Sequence, residues 1–482
     1  MQKTHSSAVA LLAEEAEPAL GTEEKSEGLH RVQVVGPTTR QERLASMDIL
    51  RGIALMGILA SNISDFSGQN LAGVVYSLPR QTLSGWHSHL DLAVYFLQYI
   101  FFHGKTRGLL SMLFGAGVML LTTRMERRAG AEAASTTFLR RSCWMIVVGL
   151  LHAYFIWDGD YIMPYAGTAL LFVFACRGLR PKTLLIAGVL ITGIPGTYAY
   201  LSANKQLPTL RLVERQVVAE RVARAGETPT DAQRADQQSW NVMMRPLTYD
   251  AQKDAARIRE GRQGYLAQLK QSPVEFLKGE LISLAIAVVE SGGMMLIGMA
   301  LFKLDFFTGE LSSATYVWTI LLGVLASLPL TLAGLLKARA SGFAPGVVAC
   351  WMYLPHEFTR VGATLATAAF ILLFVKIGAF RGLARRCAAV GQTAMTNYIL
   401  TSVICQFLFA WGPWKLYGQL EFFQIFYCVF GVWIINLVVS PIWLRYFAFG
   451  PIEWVLRSLT YWRRQPMLLR SRDGVGDYRP LA

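Results

Sequence analysis

The chain repeatedly carries apolar stretches of membrane-spanning length, and this length constrains its fold more than any other feature. A helix needs about 20 apolar residues to cross the ~30 Å hydrocarbon core of a bilayer. The candidate spans are 49–66, 91–122, 142–157, 162–177, 183–202, 279–302, 315–336, 344–354 with 361–379, 388–411 and 421–443. The sequence therefore predicts an all-α integral membrane protein with about ten transmembrane helices, and the lipid bilayer is its first partner.

Charge is scarce, and most of it lies between the apolar stretches. Only 16% of the residues are charged, and the net charge is +14. Basic clusters in short loops are typical of the cytoplasmic side of membrane proteins, so this excess does not indicate nucleic-acid binding. The clusters are Arg124, Arg127, Arg128, Arg140 and Arg141; Arg177, Arg180 and Lys182; Arg381, Arg385 and Arg386; and Arg457, Arg463, Arg464, Arg470 and Arg472. Placing them in the cytoplasm puts both termini there and the WDGD segment (157–160) outside.

The same pattern divides the chain into five parts. Residues 1–46 are polar and are expected to form a disordered cytoplasmic tail, and 463–482 form a second one. Between the tails lie an N-terminal transmembrane bundle (47–202), a periplasmic or extracellular polar insertion (203–277) and a C-terminal transmembrane bundle (278–462). The insertion contains a mixed-charge amphipathic helix typical of an exposed surface, and its role stays open.

The stretch 91–122 is too long for one straight crossing. The segment HGKTRG (103–108), with a glycine on each side of Lys105, is the expected break, and it predicts one broken or re-entrant crossing. Non-helical backbone at membrane depth lies inside the protein or lines a cavity, so His103, Lys105 and Arg107 would form an internal anion site. If the stretch makes two full passes instead, these residues form an ordinary loop.

Ionisable residues inside apolar stretches are the site candidates, because a charge in hydrocarbon costs several kcal/mol. His152 lies in the middle of such a stretch and is the candidate general base. The alternative is a packing histidine that hydrogen-bonds a backbone carbonyl. Asp160, and Asp158 before it, are candidates to orient the ring. A continuous helix would separate them from His152 by roughly 9–12 Å, so contact requires the chain to turn back, which Gly159 permits.

Asp48 and Arg51 lie three residues apart at the start of the first span, where they can pair on one helix face. The pair either fixes the depth of the helix or presents Arg51 to the phosphates of a coenzyme-A-like donor. The second reading uses the planar guanidinium, which can bind phosphate through two parallel hydrogen bonds, and both readings stay open.

Glu290 interrupts another apolar stretch directly before Ser291 and the pair Gly292–Gly293. The glycine pair predicts a close helix approach, and the carboxylate is expected to pair with Lys105, Arg107 or Arg51. Asn397 lies in the ninth span, either tying helices together or contacting substrate.

Two groups of metal-ligand residue types do not predict a metal site. His87, His89 and Asp91 lie close together in sequence, but an exposed loop is favoured over a metal centre. No pair among the six cysteines has the CxxC spacing, so they are expected to be small apolar fillers. They are Cys143, Cys176, Cys350, Cys387, Cys405 and Cys428.

Five ordered segments resemble the successive signatures of the YeiB family of bacterial inner-membrane proteins. They are SMDILRGIALMGILASNIS, GKTRGLLSMLFGAG, GLLHAYFIWDGD, VGQTAMTNYILTSVICQ and WLRYFAFGPIEWVLRSLTY. The resemblance covers residues 44–462 and implies a multi-pass protein of the bacterial cytoplasmic (inner) membrane.

The first segment also resembles the opening motif of two groups of transmembrane acyltransferases. These enzymes move an acyl group from a cytoplasmic acyl-CoA to an acceptor across the membrane. The sugar O-acylating group has a histidine near the end of this helix, where Asn62 stands here. Asn62 cannot act as a base, so the resemblance leaves it a substrate-binding role and requires another residue to take the proton.

The favoured reading is therefore an acyltransferase with His152 and Asp160 as its catalytic pair. Asp48, Arg51, Asn62, Lys105, Arg107, Glu290 and Asn397 are the candidate substrate-binding residues. The partners are a small-molecule donor and acceptor, with acyl-CoA as co-substrate and no tightly bound cofactor. The alternative function is a transporter of a small anionic or polar solute, because broken helices and internal charges also occur there. A homo-oligomer is compatible with either.

Overall fold

The computed structural model describes residues 45–69 and 87–469, apart from 206–214, 216–221, 223–225, 227, 229, 245–250, 270–271, 342, 344, 349–350 and 353. Within these residues the chain forms helices and contains no β-strand, so the protein is an α-helical membrane protein, as the sequence predicts. The predicted tails, 1–46 and 463–482, lie outside the described residues except at 45–46 and 463–469, and so does part of the insertion.

The helices carry the labels α1 to α17 in chain order. They are α1 (Ala45–Phe66), α2 (Ser88–Phe101), α3 (Lys105–Phe155), α4 (Ile162–Thr168), α5 (Pro181–Lys205), α6 (Asp231–Met244), α7 (Ala251–Gly261), α8 (Tyr265–Gln268), α9 (Pro273–Glu290), α10 (Gly292–Lys303), α11 (Ser313–Ala340), α12 (Pro345–Val348), α13 (Leu354–Lys376), α14 (Arg381–Gln392), α15 (Ala394–Gln406), α16 (Phe422–Tyr446) and α17 (Pro451–Thr460).

Several of these helices are long and apolar enough to cross a membrane. Within the described residues there are six such segments: Ala45–Phe66, Ser88–Phe155, Ser313–Ala340, Phe358–Lys376, Ala394–Trp411 and Phe422–Tyr446. The bent pair α9 and α10 would add a seventh, and two further apolar helices are shorter. The count of about ten crossings, and the division into five parts, stay predictions.

The structure has a helix break at 102–104, which overlaps the start of the predicted break at 103–108, whereas residues 105–108 are helical. α2 ends at Phe101 and α3 begins at Lys105, with Gly104 between them at a φ of 72°, a conformation that favours glycine. Lys105 Nζ donates to the carbonyl oxygen of Tyr99 at 3.1 Å. Since the last turn of α2 leaves its carbonyls without helical partners, this charged side chain satisfies one of them across the break.

The break lies beside the middle of α1. A Cβ atom on Gly57 would lie 2.3 Å from the Thr106 side chain and 3.3 Å from that of Phe102. Before the break, Gln98 Nε2 donates at 2.7 Å to the carbonyl of Ala60, in the second half of α1. After the break, α3 packs against the first half of α1. Together, α2 and the start of α3 therefore follow α1 along its length, which is the arrangement expected of one broken crossing.

α3 has two legs that lie side by side. Gly130, at φ 85° and ψ 170°, interrupts its helical geometry. Val118 before this kink and Phe138 after it pack in one apolar cluster. The first leg therefore leaves the break towards the start of α1, and the second leg returns and carries His152 back into the interior.

α10 packs against its neighbours at backbone distance. A Cβ atom on Gly298 would lie 1.9 Å from the Met112 carbonyl oxygen of α3, and one on Gly293 would lie 2.6 Å from the Gly188 carbonyl oxygen of α5. These contacts confirm the close approach predicted from the glycine pair. The chain bends by 44° between α9 and α10, directly after Glu290.

Gly298→Ala should destabilise the protein, because the added methyl group must push two helix backbones apart. Overpacking of this kind costs roughly 1–3 kcal/mol. Gly279→Ala on α9 is the matched control, because its Cβ atom would meet nothing within 4 Å among the described residues. Thermal unfolding in detergent should show a lower midpoint for Gly298→Ala only. Equal midpoints for the two variants would contradict the packing.

Candidate functional site

A cavity of about 300 Å³ lies between both legs of α3 and the starts of α1, α4, α15 and α17. This volume is at the lower end of the range for small-molecule sites. Along α3 its lining runs from Leu110 to Arg128, a helical rise of roughly 27 Å. The cavity is therefore an elongated channel that starts in the membrane interior and ends at the level of the Gly130 kink.

The end of the cavity near the kink is basic. Its lining contains five arginines and two carboxylates: Arg51, Arg124, Arg128, Arg141, Arg457, Asp48 and Glu453. Glu453 is engaged by the start of α15, where it accepts the backbone N–H of Met395 at 2.7 Å and the hydroxyl of Thr396 at 2.6 Å. The arginines therefore outnumber the available carboxylates, and this end suits an anionic group.

The predicted pairing of Asp48 with Arg51 is present. Arg51 Nη1 donates to Asp48 Oδ1 at 2.9 Å. Asp48 is buried, whereas the Arg51 side chain is 28% exposed and lines the cavity. The ion pair anchors the start of α1 and still leaves the guanidinium in reach of a ligand.

The deep end of the cavity is apolar except for three tyrosines, Tyr161, Tyr165 and Tyr398. Ser111 Oγ donates to the Tyr165 hydroxyl at 2.7 Å, and the Tyr161 backbone N–H donates to the Tyr398 hydroxyl at 3.1 Å. These bonds connect α3, α4 and α15 around the same point. The deep end is therefore a small set of hydroxyl groups inside an apolar wall.

His152 and Asp160 form a buried pair beside these tyrosines. His152 Nδ1 and Asp160 Oδ1 are 2.9 Å apart, and the two side chains are 1% and 0% exposed. Asp160 Oδ2 accepts the backbone N–H of Met163 at 2.8 Å, at the start of α4. With Asp160 ionised, the proton of the imidazole lies on Nδ1, and Nε2 carries the lone pair.

The pair forms because the chain turns back directly after α3. The helix ends at Phe155, and Trp157 then stacks on Phe66 with ring centroids 4.2 Å apart. A Cβ atom on Gly159 would lie 2.3 Å from the Trp157 ring, so only glycine fits this turn. The turn that Gly159 permits is therefore made, and it brings Asp160 back to the ring.

His152 Nε2 is buried and has no hydrogen-bond partner among the described residues. The ring packs against Tyr398, with centroids 5.2 Å apart, and Tyr398 lines the cavity. His152 thus lies behind the deep end of the cavity, and Tyr398 lies against both the His152 ring and the cavity. A buried unpaired imidazole nitrogen costs free energy in an apolar interior, which favours a role with a ligand or a proton.

Arg107 and Glu290 form the other predicted ion pair. Arg107 Nη2 and Glu290 Oε2 are 3.1 Å apart. Arg107 Nη1 also donates to the Tyr161 hydroxyl at 3.4 Å, so the cation lies next to the deep end of the cavity. Arg360 donates to the carbonyl oxygen of Glu290 at 2.9 Å, where α9 ends. The sequence does not decide whether Glu290 pairs with Lys105, Arg107 or Arg51, and the structure pairs it with Arg107.

The remaining predicted residues lie elsewhere. Lys105 spans the helix break, as described above. Asn397 Nδ2 donates to the Val390 carbonyl at 3.1 Å and to the Ser440 hydroxyl at 2.9 Å, which are contacts that tie helices together. Asn62 is half-buried on α1 and is not among the described residues that line the cavity. Substrate contact by Lys105, Asn62 and Asn397 stays a prediction.

His87 and Asp91 contact the start of α16, whereas His89 is exposed. His87 Nδ1 lies 2.7 Å from Glu421 Oε2, and Asp91 Oδ1 accepts the Phe423 backbone N–H at 2.8 Å, at the start of α16. No group of three metal-ligand side chains occurs in the part of the chain that the structure describes.

Sequence reasoning missed the three tyrosines and the positions of Arg141 and Arg457 in the cavity lining. The arginines belong to clusters that were assigned only to membrane orientation. The tyrosines are hard to recognise as site residues from the sequence, because aromatic residues are common in membrane helices. Only their hydroxyl groups in otherwise apolar segments set them apart. Their convergence depends on contacts between distant helices.

Comparison with known proteins finds relatives that match most of the chain. The family described as "Protein of unknown function (DUF418)" matches residues 301–463. The "Uncharacterized protein YxaH" of Bacillus subtilis is 26% identical over 90% of this chain and 98% of its own length. The "Uncharacterized protein YeiB" of Escherichia coli is 25% identical over 89% of this chain and 99% of its own length. The chain is thus similar to YxaH and YeiB over about nine tenths of its length. No solved structure matches it.

The match to the DUF418 family covers only part of the site. Tyr398, Glu453 and Arg457 lie within 301–463, whereas His152 and Asp160 precede it. The cavity is therefore built jointly by the segment that matches the DUF418 family and by helices before it.

Removing either member of the Arg107–Glu290 pair should destabilise the protein more than removing both. A lone charge left in a partly buried position costs roughly 1–3 kcal/mol, whereas an apolar pair avoids that cost. We expect Arg107→Met and Glu290→Met each to lower the unfolding midpoint in detergent, and the double variant to recover part of the loss. Additive losses in the double variant would contradict a direct interaction.

Proposed function

We propose that this protein, a relative of YeiB, is a membrane acyltransferase that moves an acyl group from acyl-CoA to a hydroxyl or amine acceptor. The observation that carries the proposal is one cavity with arginines at one end and a buried Asp160–His152 pair behind the other. An acyl-CoA has the matching polarity, with phosphates at one end and a reactive thioester at the other. It is a co-substrate here, and no tightly bound cofactor is part of the proposal.

The donor's phosphates bind at the basic end. Arg51, Arg141 and Arg457 line that end from three different helices. Guanidinium groups bind phosphate through paired, charge-assisted hydrogen bonds. The pantetheine arm then follows the apolar wall of α3 and brings the thioester to the tyrosines.

His152 takes the proton from the acceptor. Its Nε2 removes the proton of the acceptor O–H or N–H while the oxygen or nitrogen attacks the thioester carbonyl carbon. The C–S bond then breaks, and the imidazolium returns the proton to the leaving sulfur. Asp160 holds the ring by its Nδ1 hydrogen and stabilises the positive charge that forms.

The Tyr161 hydroxyl is the proposed donor to the thioester oxygen. It lines the cavity, and Arg107 donates to it at 3.4 Å. A hydroxyl backed by a cation can stabilise the oxyanion of the tetrahedral intermediate, and the low-dielectric surroundings strengthen this effect. Glu290 keeps Arg107 in place.

The orientation proposed from charge places the basic end of the cavity in the cytoplasm, where acyl-CoA is available. The protein would then lie in the bacterial inner membrane with both termini in the cytoplasm and about ten crossings. The turn at 157–160 would face the opposite side, so the acceptor reaches His152 from outside.

Release of CoA tests the proposal. Purified protein in lipid nanodiscs would receive acetyl-CoA and an envelope extract as the source of acceptor. His152→Ala should lower the rate about 100-fold or more, because a positioned general base contributes 10²–10⁴. His89→Ala is the control, since His89 is exposed and outside the described lining of the cavity. Equal rates in wild type and His152→Ala, or no release with any acyl chain length, would contradict it.

Adjacent arginines offer a matched test of donor binding. Arg141 lines the cavity, whereas Arg140 is exposed and is not among the described lining residues. Arg141→Gln should raise KM for acetyl-CoA roughly tenfold with little change in kcat, because it removes a charge-assisted hydrogen bond to phosphate. Arg140→Gln should leave both constants near wild type. An equal effect of both changes would indicate general surface charge rather than a site.

A transporter of a small anionic or polar solute is the second candidate function. It is favoured by two interrupted helices, at Gly104 between α2 and α3 and at Ser291 between α9 and α10, with Arg107 and Glu290 paired between them. Solute uptake by proteoliposomes without CoA release would support it over acyl transfer.

A further inference from the structure

A second cluster of charged side chains lies near Asp160, and it is acidic. Glu280 of α9 is 5% exposed, and its Oε2 has no hydrogen-bond partner among the described residues. Asp158 and Asp160 are the charges that act on it, and both repel it. Asp158 also repels Asp65, at the end of α1. The acceptor chemistry proposed above does not use Glu280, Asp158 or Asp65.

Packing of α9 directs Glu280 towards this cluster. Phe276, one turn before Glu280, packs edge-on against Tyr154 of α3 with ring centroids 5.0 Å apart. Leu284, one turn after it, fills the space above Gly167 of α4. Residues four apart share one helix face, so Glu280 faces the turn that joins α3 to α4. That turn carries Asp158 and Asp160.

The cluster is accessible from one side. Asp65 and Asp158 are exposed, whereas Glu280 is buried. Arg257 of α7 is the cation that attracts Asp65, so the polar insertion lies close to the same opening. An acceptor would therefore pass the exposed carboxylates before it reaches Glu280.

Glu280, Asp158 and Asp160 lie together, and the buried Glu280 has an oxygen without a partner among the described residues, which favours a positive ligand. An isolated buried carboxylate is costly unless a cation pairs with it or it takes up a proton. Asp160 is already engaged by His152 and by Met163 N–H, which leaves Glu280 and Asp158 for the ligand. A metal ion requires more ligands than this, and the described residues hold no group of three that could bind one. An ammonium group needs only one or two carboxylates.

We infer that Glu280 and Asp158 bind the protonated amino group of a primary amine, and that this amine is the acyl acceptor. The acceptor role rests on the proposed function. The geometry keeps the two substrates apart: Asp48 beside the donor end and Asp65 beside the acidic cluster lie at opposite ends of α1, a helical rise of roughly 25 Å. An anionic donor and a cationic acceptor thus approach His152 from opposite ends, each towards charges of the opposite sign.

The protons balance in this arrangement. The ammonium group gives one proton to the Glu280 carboxylate and becomes a neutral amine. The amine nitrogen attacks the thioester carbon, its second proton passes to His152 Nε2, and an N–C bond forms as the C–S bond breaks. The imidazolium then protonates the CoA sulfur, and Glu280 releases its proton to solvent. The products are an amide and CoA.

Binding of matched probes tests the inference without requiring turnover. Ethanolamine and glucosamine carry an ammonium group that ethylene glycol and glucose lack, and thermal stabilisation in nanodiscs reports their binding. Wild type should be stabilised by the amines only. Glu280→Gln should weaken the apparent affinity about tenfold or more, because the charge-assisted bond is lost. Glu275→Gln, on the same helix but exposed and paired with Lys278, should behave as wild type.

The outcomes separate this inference from the proposed function. Amine stabilisation that Glu280→Gln removes supports the ammonium site, and amine-dependent CoA release with a raised amine KM in that variant supports the acceptor role. Amine binding without CoA release keeps the site and rejects acyl transfer. CoA release with a neutral acceptor and no amine effect rejects the amine and keeps acyl transfer. Stabilisation by Mg²⁺ or Ca²⁺ alone would indicate a metal site. If Glu280→Gln does not fold, Glu280→Asp should show a smaller loss of the same kind.

Discussion

The hydrogen bond between His152 and Asp160 holds the centre of this molecule together. It connects the end of α3 to the start of α4, because Asp160 also accepts the Met163 N–H. It therefore positions Tyr161 and Tyr165, which follow Asp160 and form the deep end of the cavity. It also fixes the ring so that Nε2, the nitrogen without a partner among the described residues, faces away from Asp160. Packing and proposed chemistry thus depend on the same pair.

Charged side chains in this protein also stabilise interrupted helices. Lys105 binds a carbonyl at the end of α2, Arg360 binds the carbonyl of Glu290 at the end of α9, and Glu453 caps the start of α15. Helix ends leave backbone groups without partners, and lipid offers none in place of water. A buried charge in a membrane sequence can therefore bind a ligand, pair with an opposite charge or satisfy a helix end. Glu453 lines the cavity and also satisfies a helix end.

Local patterns predicted a large part of this arrangement. The glycines around Lys105 predicted the helix break, and the spacing of Asp48 and Arg51 predicted their ion pair. The contact of Asp160 with His152 requires only that the chain turn back at Gly159, and the sequence alone could identify this requirement.

The pairing of Glu290 with Arg107 could not be chosen among three partners from the sequence, because it depends on how α3 and α9 meet. The same reason explains why Tyr398 and Glu280, each brought in by a distant helix, were missed. The sequence also specifies the number of membrane crossings only weakly. Ser88–Phe155 is apolar over 68 residues, and only the break at Gly104 and the kink at Gly130 divide it into separate helices.

The central claim is that the arginine-lined end and the His152–Asp160 pair serve one bound donor. The most direct measurement is an electron cryomicroscopy structure in nanodiscs with a non-hydrolysable acyl-CoA analogue. The account predicts phosphate density beside Arg141 and Arg457 and the acyl carbonyl next to Tyr161 and Tyr398. Density for the analogue outside this cavity, or a cavity that stays empty at saturating analogue, would contradict it.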